Sequence, residues 1–429
     1  MKVGNSNHGS VILRLAYLGI LVLATLTSQS WGLEWTGVGE RFARMFTPSL
    51  SPRDVIDGAR NVLLFAGWGL TWMATAGAGI GREVRNAAIS GGVLSLLIEG
   101  CQLFLSSRTP SVLDLLTNLT GALLGAVCFL FVVRALSRQV GRRSFVGLPA
   151  AVFAVCYVIA IFGEALVPLF RQENAVPGLW GGPIRRFQIV LDAFSWTSLA
   201  NPPVLDALLF FPTGFLVAAW MVEVGLGYRR AARVSVASVV AVTVLAEGAH
   251  GFLGFPILPG AVLTHAVSSA GGAMLASWAL PRYSRKFRGA ARVRVVLGTY
   301  LPFLLLWAWR PFRLETRLPV IAEQLLGEWW KPLDSLGMRV DLFSVVDILN
   351  PFFLYFPLGA LLAVWPLKTT GSLARFFPAL YLAILAELGQ LFVASRTLDI
   401  TDMLVPMAGA AAGWVVMRRA GFRRYGTLY

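Results

Sequence analysis

The sequence predicts an all-α, polytopic membrane protein with about twelve transmembrane helices. Hydrophobic residues make up 56% of the 429 residues and charged residues only 14%, and the mean hydropathy is +0.68. A chain this apolar has too little polar surface to cover a single water-soluble core. Stretches near the bilayer-spanning length of about 20 residues recur along the whole chain. They fall at 12–28, 61–77, 84–105, 112–134, 149–167, 204–222, 231–252, 260–280, 293–309, 348–365, 373–394 and 401–418.

The basic residues are distributed unevenly over the connections between these stretches. If every stretch crosses the bilayer, one side holds both termini and 23 of the 37 Lys and Arg residues, with only Glu83 and Glu223 as acids. Such an excess marks the cytoplasmic side, so we expect both termini to be cytoplasmic. The net charge of +15 then reflects orientation and anionic lipid, and we expect no nucleic-acid partner.

Common catalytic and metal-binding motifs are absent from the sequence. It contains no Gly-rich phosphate loop, no GxSxG and no HExxH. Its three cysteines, Cys101, Cys128 and Cys156, have no CxxC spacing and fall inside or beside apolar stretches. We therefore expect no metal and no cofactor.

Two stretches of thirty residues repeat one another. "LIEGCQLFLSSRTPSVLDLLTNLTGALLGA" at 97–126 and "LAELGQLFVASRTLDITDMLVPMAGAAAGW" at 385–414 match at 13 of 30 positions without a gap. Both copies keep the same polar residues and glycines at the same spacing. These are Glu99, Gln102, Arg108, Asp114, Gly121 and Gly125 in one copy, and Glu387, Gln390, Arg396, Asp402, Gly409 and Gly413 in the other.

A third, diverged copy lies between them, at 245–272. Glu247 matches Glu99, and Pro256 falls at the position of the arginine. After a two-residue insertion, Thr264, Ser268 and Gly271 take the positions of Asp114, Asn118 and Gly121. Two further helices precede each copy, so a unit has four helices, and an even helix count keeps tandem units in one orientation. The predicted units are 1–145, 146–290 and 291–429, and we expect the middle one, lacking the arginine and the aspartate, to act as a scaffold.

The combination of these motifs resembles the VanZ-like family. A helix carrying an Asp or Asn and ending in a pattern such as "NPFFLYFPLG" precedes ExxQ, which is followed by the Arg, Asp and Gly positions given above. The resemblance is strongest for 54–133 and 347–417. It implies a protein of the bacterial cytoplasmic membrane, connected with resistance to lipid-bearing glycopeptides or with surface polysaccharide and lipid systems. The triplication departs from the usual single unit of that family.

The polar residues of the repeat are expected to meet at one turn. Glu99 and Gln102 are three residues apart on one helix, and Asp114 and Asn118 are four apart on the next, so each pair shares a helix face. The turn between them would bring Arg108 and Asp114 near the outer surface, with Glu99 about 9 Å deeper. Ionisable groups cost at least about 2.5–3.5 kcal/mol each in a bilayer and usually face a protein interior or a wet cavity.

An outward-opening polar crevice is therefore expected in this region. The candidate binding residues are Asp57, Asn61, Glu99, Gln102, Arg108, Asp114, Asn118, Asp347, Glu387, Gln390, Arg396 and Asp402. We expect function in the first and last units, with the first favoured because it has Asn61 and Asn118 where the last has Pro351 and Pro406.

Three readings of these residues stay open. The side chains can form hydrogen bonds that hold helices together, which are common in membrane bundles. They can form a binding site in which the arginine receives a phosphate or carboxylate, with membrane lipids, a lipid-linked glycan or a lipoglycopeptide as partner. They can also act as an acid and a base on a lipid-linked substrate. The corresponding functions are a scaffold for an envelope assembly, a headgroup-binding protein or transporter, and an intramembrane enzyme.

Overall fold

The computed structural model describes most of the chain. The described residues are 14–15, 17–19, 21–22, 25, 35–46, 52–75, 80–105, 110–139, 148–171, 194–199, 204–252, 257–288, 290–310, 312–327, 329, 343–365, 377–394, 396 and 398–421. Over these residues the secondary structure is helical, with two isolated β-bridges, Phe194–Ile257 and Leu314–Val393, and no β-strand. The all-α prediction is confirmed for this part of the chain.

In the described part of the first segment, residues 1–145, the helical residues 14–15, 17–19, 21–22 and 25 belong to a leading helix, and one short and three long helices follow. They are α1 (Val38–Met45), α2 (Pro52–Thr75), α3 (Ile80–Gln102) and α4 (Val112–Ser137). Ser111 fixes the start of α4, because its hydroxyl accepts a hydrogen bond from the backbone N–H of Leu113 at 3.1 Å. An N-cap serine satisfies one of the amides that a helix start leaves without an internal partner.

The middle segment, residues 146–290, repeats this order of long helices after a leading helix. Its elements are α5 (Ala150–Arg171), a 3₁₀ turn (Trp196–Leu199), α6 (Val204–Glu223), α7 (Tyr228–Phe252) and α8 (Pro259–Lys286). Pro259 is the first residue of α8, where its missing N–H costs no helical hydrogen bond.

The last segment, residues 291–429, has the same arrangement. Its helices are α9 (Ala290–Ala308), α10 (Leu318–Leu326), α11 (Phe343–Val364), α12 (Phe377–Gln390) and α13 (Thr401–Arg419). Two prolines, Pro351 and Pro357, lie inside α11.

The same pair of helices packs most extensively in every segment: α2 with α4, α6 with α8, and α11 with α13. In each pair a glycine places the two backbones in direct contact. Gly69 faces the backbone of Ala122, Gly214 faces that of Ser269, and Gly359 faces that of Ala410. These three glycines are spaced 145 residues apart, so the close approach recurs at one position of the repeat.

The leading helices are attached to these pairs by a recurring tyrosine. Tyr17 donates a hydrogen bond to the carbonyl of Leu64 at 2.7 Å, and Tyr157 donates to that of Leu209 at 2.9 Å. In the last segment the Tyr300 hydroxyl donates to the Leu354 carbonyl. Each buried hydroxyl thereby finds a partner on the next helix, as a phenol removed from water requires.

The largest apolar core lies between the last segment and its neighbours. Helix α11 packs against α5 of the middle segment, and α13 contacts α4 of the first. Leu358 and Leu361 are fully buried there, and Phe153 of α5 is buried in the same cluster. Near the chain's end the Arg419 guanidinium donates to the Ala74 carbonyl of α2 at 2.7 Å. The three segments therefore share one packed interior.

Two helices in the described part of the chain are long and apolar enough to cross a bilayer, Val112–Ser137 and Ala291–Ala308. Four further apolar helical stretches of 10–17 residues are Ala150–Ile161, Leu209–Glu223, Ile348–Val364 and Phe377–Gln390. Of these six, Val112–Ser137 has 26 residues and Ala291–Ala308 has 18, against the length of about 20 residues that a hydrocarbon core requires. The structure supports apolar helices, and the twelve-span topology stays a prediction.

Candidate functional site

A buried glutamate joins the two helices of the repeated turn in all three segments. Its carboxylate accepts a hydrogen bond from the backbone N–H just before the following helix: Glu99 from Ser111 at 3.0 Å, Glu247 from Leu258 at 2.7 Å, and Glu387 from Asp399 at 2.9 Å. The three glutamates are between 2% and 7% exposed. A carboxylate at a helix start satisfies an amide and interacts favourably with the helix dipole.

These contacts give the middle segment a different register from the one expected. Leu258 is equivalent to Ser111, so the turn after Glu247 is one residue shorter than the turn after Glu99, and it carries no two-residue insertion. Gly272 meets the backbone of Phe211 as Gly125 meets that of Ala66. The prediction of Thr264, Ser268 and Gly271 at the positions of Asp114, Asn118 and Gly121 is therefore wrong. Those positions hold Ala261, His265 and Ser268.

In the first segment three of the candidate residues, Asn61, Gln102 and Asp114, form hydrogen bonds between helices. The Asn61 amide of α2 donates to the Asp114 carboxylate of α4 at 2.7 Å, and the Gln102 amide donates to the Thr25 carbonyl at 3.1 Å. Arg108 lies outside the described residues. For Asp57 and Asp347 the structure describes the helical backbone but not the side chain.

A second polar pair links the third and fourth helices of a unit in two of the segments. The Asn118 amide donates to the Ser95 hydroxyl at 2.8 Å, and His265 Nδ1 lies 3.3 Å from the Thr243 hydroxyl at the equivalent position. The last segment has Pro406 there, opposite an alanine. Ser95 and Thr243 were not among the predicted residues, because a small hydroxyl on an apolar helix gives no sequence signal of its partner.

The last segment gathers its polar residues around Glu387. The Gln390 amide donates to the Glu387 carboxylate at 3.3 Å, and Asp399 accepts the backbone N–H of Thr401 at 2.7 Å. Asp402 and Arg396 lie near enough to interact electrostatically with the Glu387 carboxyl. Asp399 was missed by the sequence analysis, although it stands at the N-cap side of α13 where an aspartate is favoured.

Arg396 is half-buried beside this cluster. Its Nε donates to the Arg310 carbonyl at 3.2 Å. Its two terminal Nη groups make no hydrogen bond to any residue in the described part of the chain. Arg310 stacks on Trp307, with the guanidinium carbon 3.8 Å from the ring centroid. The fork of Arg396 is therefore held in place at one nitrogen, and its outer edge can receive an acceptor.

The connections that follow the leading helices pack directly over the repeated turns. In the last segment the Glu315 N–H donates to the Phe392 carbonyl at 2.9 Å, and the Ala394 N–H donates to the Arg313 carbonyl at 2.7 Å. In the middle segment the Ser195 N–H donates to the Ile257 carbonyl at 2.9 Å. Each of these two turns is thus covered by the chain that follows its own leading helix.

One ion pair stabilises this cover in the last segment. The Glu315 carboxylate accepts hydrogen bonds from the Arg317 guanidinium at 2.7 and 2.9 Å and from the Arg317 backbone N–H at 3.0 Å. These bonds from Arg317 lower the pKa of Glu315 to about 2. Arg317 itself is largely exposed. Within the described residues no group of three or more His, Cys, Asp or Glu is placed to hold a metal ion.

These observations define an all-α protein built from repeated helical units, each with a buried glutamate at the turn between its last two helices. The family model VanZ/LLP1 matches residues 14–134 and 295–421, which together cover more than half of the chain. The chain therefore belongs to the VanZ-like family, and the resemblance found in the sequence is confirmed. Neither a curated protein nor a solved structure matches it.

Proposed function

We propose that the chain is a multi-pass protein of the bacterial cytoplasmic membrane, composed of three tandem units at 1–145, 146–290 and 291–429. The family match covers the first and last units, and the middle one repeats the glutamate, glycine and tyrosine contacts of its neighbours. Large apolar side chains also face outward from α4, among them Leu116, Val127 and Phe131, which is 74% exposed. An outward apolar face of this kind is suited to lipid and costly in water.

The proposed orientation places both termini in the cytoplasm, because the connections on that side carry most of the basic residues. Single cysteines at Gln139 and Thr316, in a chain freed of its own three cysteines, test it with a membrane-impermeant thiol reagent on intact cells. We expect labelling at 316 and none at 139 until the membrane is permeabilised. Labelling of 139 in intact cells would overturn this orientation.

We further propose that the last unit binds an anionic headgroup, of an envelope lipid or a lipid-linked glycan precursor, at its outer turn. The observation that supports this proposal is that Arg310, Arg313 and Arg396 lie at one turn. The Arg396 side chain donates to the Arg310 carbonyl, and the Ala394 N–H donates to the Arg313 carbonyl. Glu387 and Asp399 nearby already accept backbone N–H groups at the start of α13. Their negative charge is therefore partly offset there, and the Nη groups of Arg396 can bind a phosphate.

Binding of a polyprenyl phosphate to the purified protein in detergent tests the proposal. Arg396→Ala removes a charge-assisted hydrogen bond of about 1.5–3 kcal/mol, so affinity should fall about ten- to a hundredfold. Arg396→Lys should restore only part, because an ammonium keeps the charge and loses the planar fork. The uncharged polyprenol should bind the wild-type protein and the variants equally.

Arg317→Ala is the matched control, because this outer arginine of the same connection is already paired with Glu315. Its effect on affinity should be small. Unchanged binding in Arg396→Ala would end the headgroup proposal. A large fall in melting temperature without ligand would instead assign Arg396 to the structural role of a bond to Arg310.

A further inference from the structure

An open crevice lies at the opposite end of the middle segment, between the start of α7 and the end of α8. Its volume is about 700 Å³, and its lining includes Arg229, Arg233, Ser277, Trp278 and Arg282, with no acidic residue. By the proposed orientation this end faces the cytoplasm. None of the candidate residues considered above lines it.

The three arginines of the crevice lie close together, and none of the described residues that line it is acidic. Arg229 and Arg233 are one helical turn apart, and like charges at this spacing destabilise a helix by about 0.2–0.5 kcal/mol. Neither forms an ion pair with an acid in the described part of the chain. Arg282 donates to the Trp278 carbonyl at 2.7 Å and lies over the Trp278 ring at 4.4 Å, which fixes its direction. A bound phosphate would relieve this repulsion.

The crevice continues into an apolar strip along α8. Met274, Val267 and Leu263 follow Trp278 at intervals of four, seven and four residues, which places them on one helix face. They are 66%, 65% and 56% exposed, and Trp278 is 58% exposed. From Met274 to Leu263 the helix rises about 16 Å, close to half of a hydrocarbon core of about 30 Å. The strip therefore has the length of one leaflet.

The first segment lacks most of this arrangement. At the positions of Arg229, Arg233 and Arg282 the first segment has Gly81, Arg85 and Ala135, by the register that Glu247 and Leu258 define. Two of the three charges are thus absent from the equivalent surface of the first segment. The repeated fold does not require them.

We propose that this crevice binds an anionic phospholipid of the cytoplasmic leaflet. Its phosphate contacts Arg229, Arg233 and Arg282, Trp278 lies at the level of the headgroup, and one acyl chain follows the strip towards Leu263. Charge-assisted bonds from several guanidinium groups favour a phosphate with a net negative charge over a zwitterionic headgroup. The inference rests on the proposed membrane orientation and is independent of the headgroup site at Arg396.

Lipid retention by the full-length protein tests the proposal. The protein is exchanged from detergent into nanodiscs of phosphatidylglycerol and phosphatidylcholine, extracted again, and its bound lipids are counted by native mass spectrometry. We expect enrichment of phosphatidylglycerol in the wild-type protein and at least a roughly tenfold loss of it in the Arg229→Ala, Arg233→Ala, Arg282→Ala triple variant.

The charge-matched control is the triple variant Arg85→Ala, Arg134→Ala, Arg138→Ala, at the same end of the first segment. It should retain phosphatidylglycerol as the wild-type protein does. Equal loss in both triples would show a general effect of charge and overturn the site. Displacement of the lipid by millimolar glycerol phosphate would reassign the crevice to a free phosphate compound.

Two measurements keep the result interpretable. If the triple variant folds poorly, the single variant Arg282→Gln replaces it, and we expect an intermediate loss of bound phosphatidylglycerol. An unchanged phosphatidylglycerol count in Arg282→Gln and in a folded triple variant would reject the proposal. The Arg229→Ala, Arg233→Ala, Arg282→Ala triple variant should keep the wild-type affinity for polyprenyl phosphate, so failure at one site is distinguishable from failure at the other. Labelling of residue 139 from outside the cell would remove the cytoplasmic assignment of this crevice.

Discussion

Replacing the interhelical glycines should separate the repeated helix pairs. A Cβ built at Gly125 lies 2.7 Å from the Ala66 carbonyl carbon, and one at Gly413 lies 2.9 Å from that of Phe356. Ordinary contact begins at 3.4 Å, so the backbones would have to move apart by at least 0.5–0.7 Å. The added methyl group would meet backbone atoms, which cannot move aside by changing a side-chain rotamer. Overpacking of this kind typically costs about 1–3 kcal/mol.

Gly100→Ala is the matched control, since a Cβ at this helical glycine has nothing within 4 Å. Replacing an unconstrained helical glycine should stabilise the protein by about 0.5–1 kcal/mol. Thermal unfolding in detergent, read by intrinsic tryptophan fluorescence, should therefore show a lower melting temperature for Gly125→Ala and Gly413→Ala and an equal or higher one for Gly100→Ala. Three melting temperatures indistinguishable from wild type would refute the close backbone packing of α2 with α4 and of α11 with α13.

Two further predictions concern polar pairs. Asn118→Ala should cost about 0.5–1.5 kcal/mol of unfolding free energy, and Ser95→Ala should cost little more in that background, because both partners of the bond are then gone. Additive losses from Asn118→Ala and Ser95→Ala in the same unfolding assay would argue against their bond. Since the pKa of Glu315 is lowered in the folded protein, its ion pair contributes stability above the ordinary carboxyl pKa and loses it as pH falls towards about 2. A carboxyl NMR titration should show this midpoint in the wild-type protein and a rise towards 4.5 in Arg317→Ala, and an unchanged midpoint would contradict the assignment.

The repeat could be recognised from sequence because most of its residues stand at fixed helical spacing. The spacing predicts that Glu387, Gln390 and Asp402 meet at one turn, and in the structure Gln390 donates to Glu387 and Asp402 lies close to it. Helix ends were less well predicted: α2 begins at Pro52, nine residues before the apolar stretch. Its first turns are polar, and a hydropathy pattern marks the bilayer-spanning part of a helix better than its full length.

The middle register could not be read from sequence for a physical reason. The turn after Glu247 differs in length by one residue from its equivalents, and a loop of a few residues absorbs such a change at little cost in free energy. Sequence alignment placed the difference as an insertion, whereas the glutamate bond to Leu258 and the packing of Gly272 fix it as a deletion. These contacts to backbone atoms define the register of the middle segment, because a shift of one residue along the helix would break them.

Some residues of the repeat make the same contact in all three segments, and others are present in only two of them. Glu247, Gly272 and Tyr157 keep the contacts of their equivalents, and each of these contacts is made to backbone atoms, which are present whatever the neighbouring side chain is. The middle segment has no arginine and no aspartate between Glu247 and His265, yet its helices pack in the same pairs. An arginine and an aspartate at this turn are therefore not required to build the unit. The aspartate of the first segment is accounted for by its hydrogen bond from Asn61, whereas the arginine needs another cause. The proposed anionic ligand at this turn provides one, which the Arg396 variants test directly.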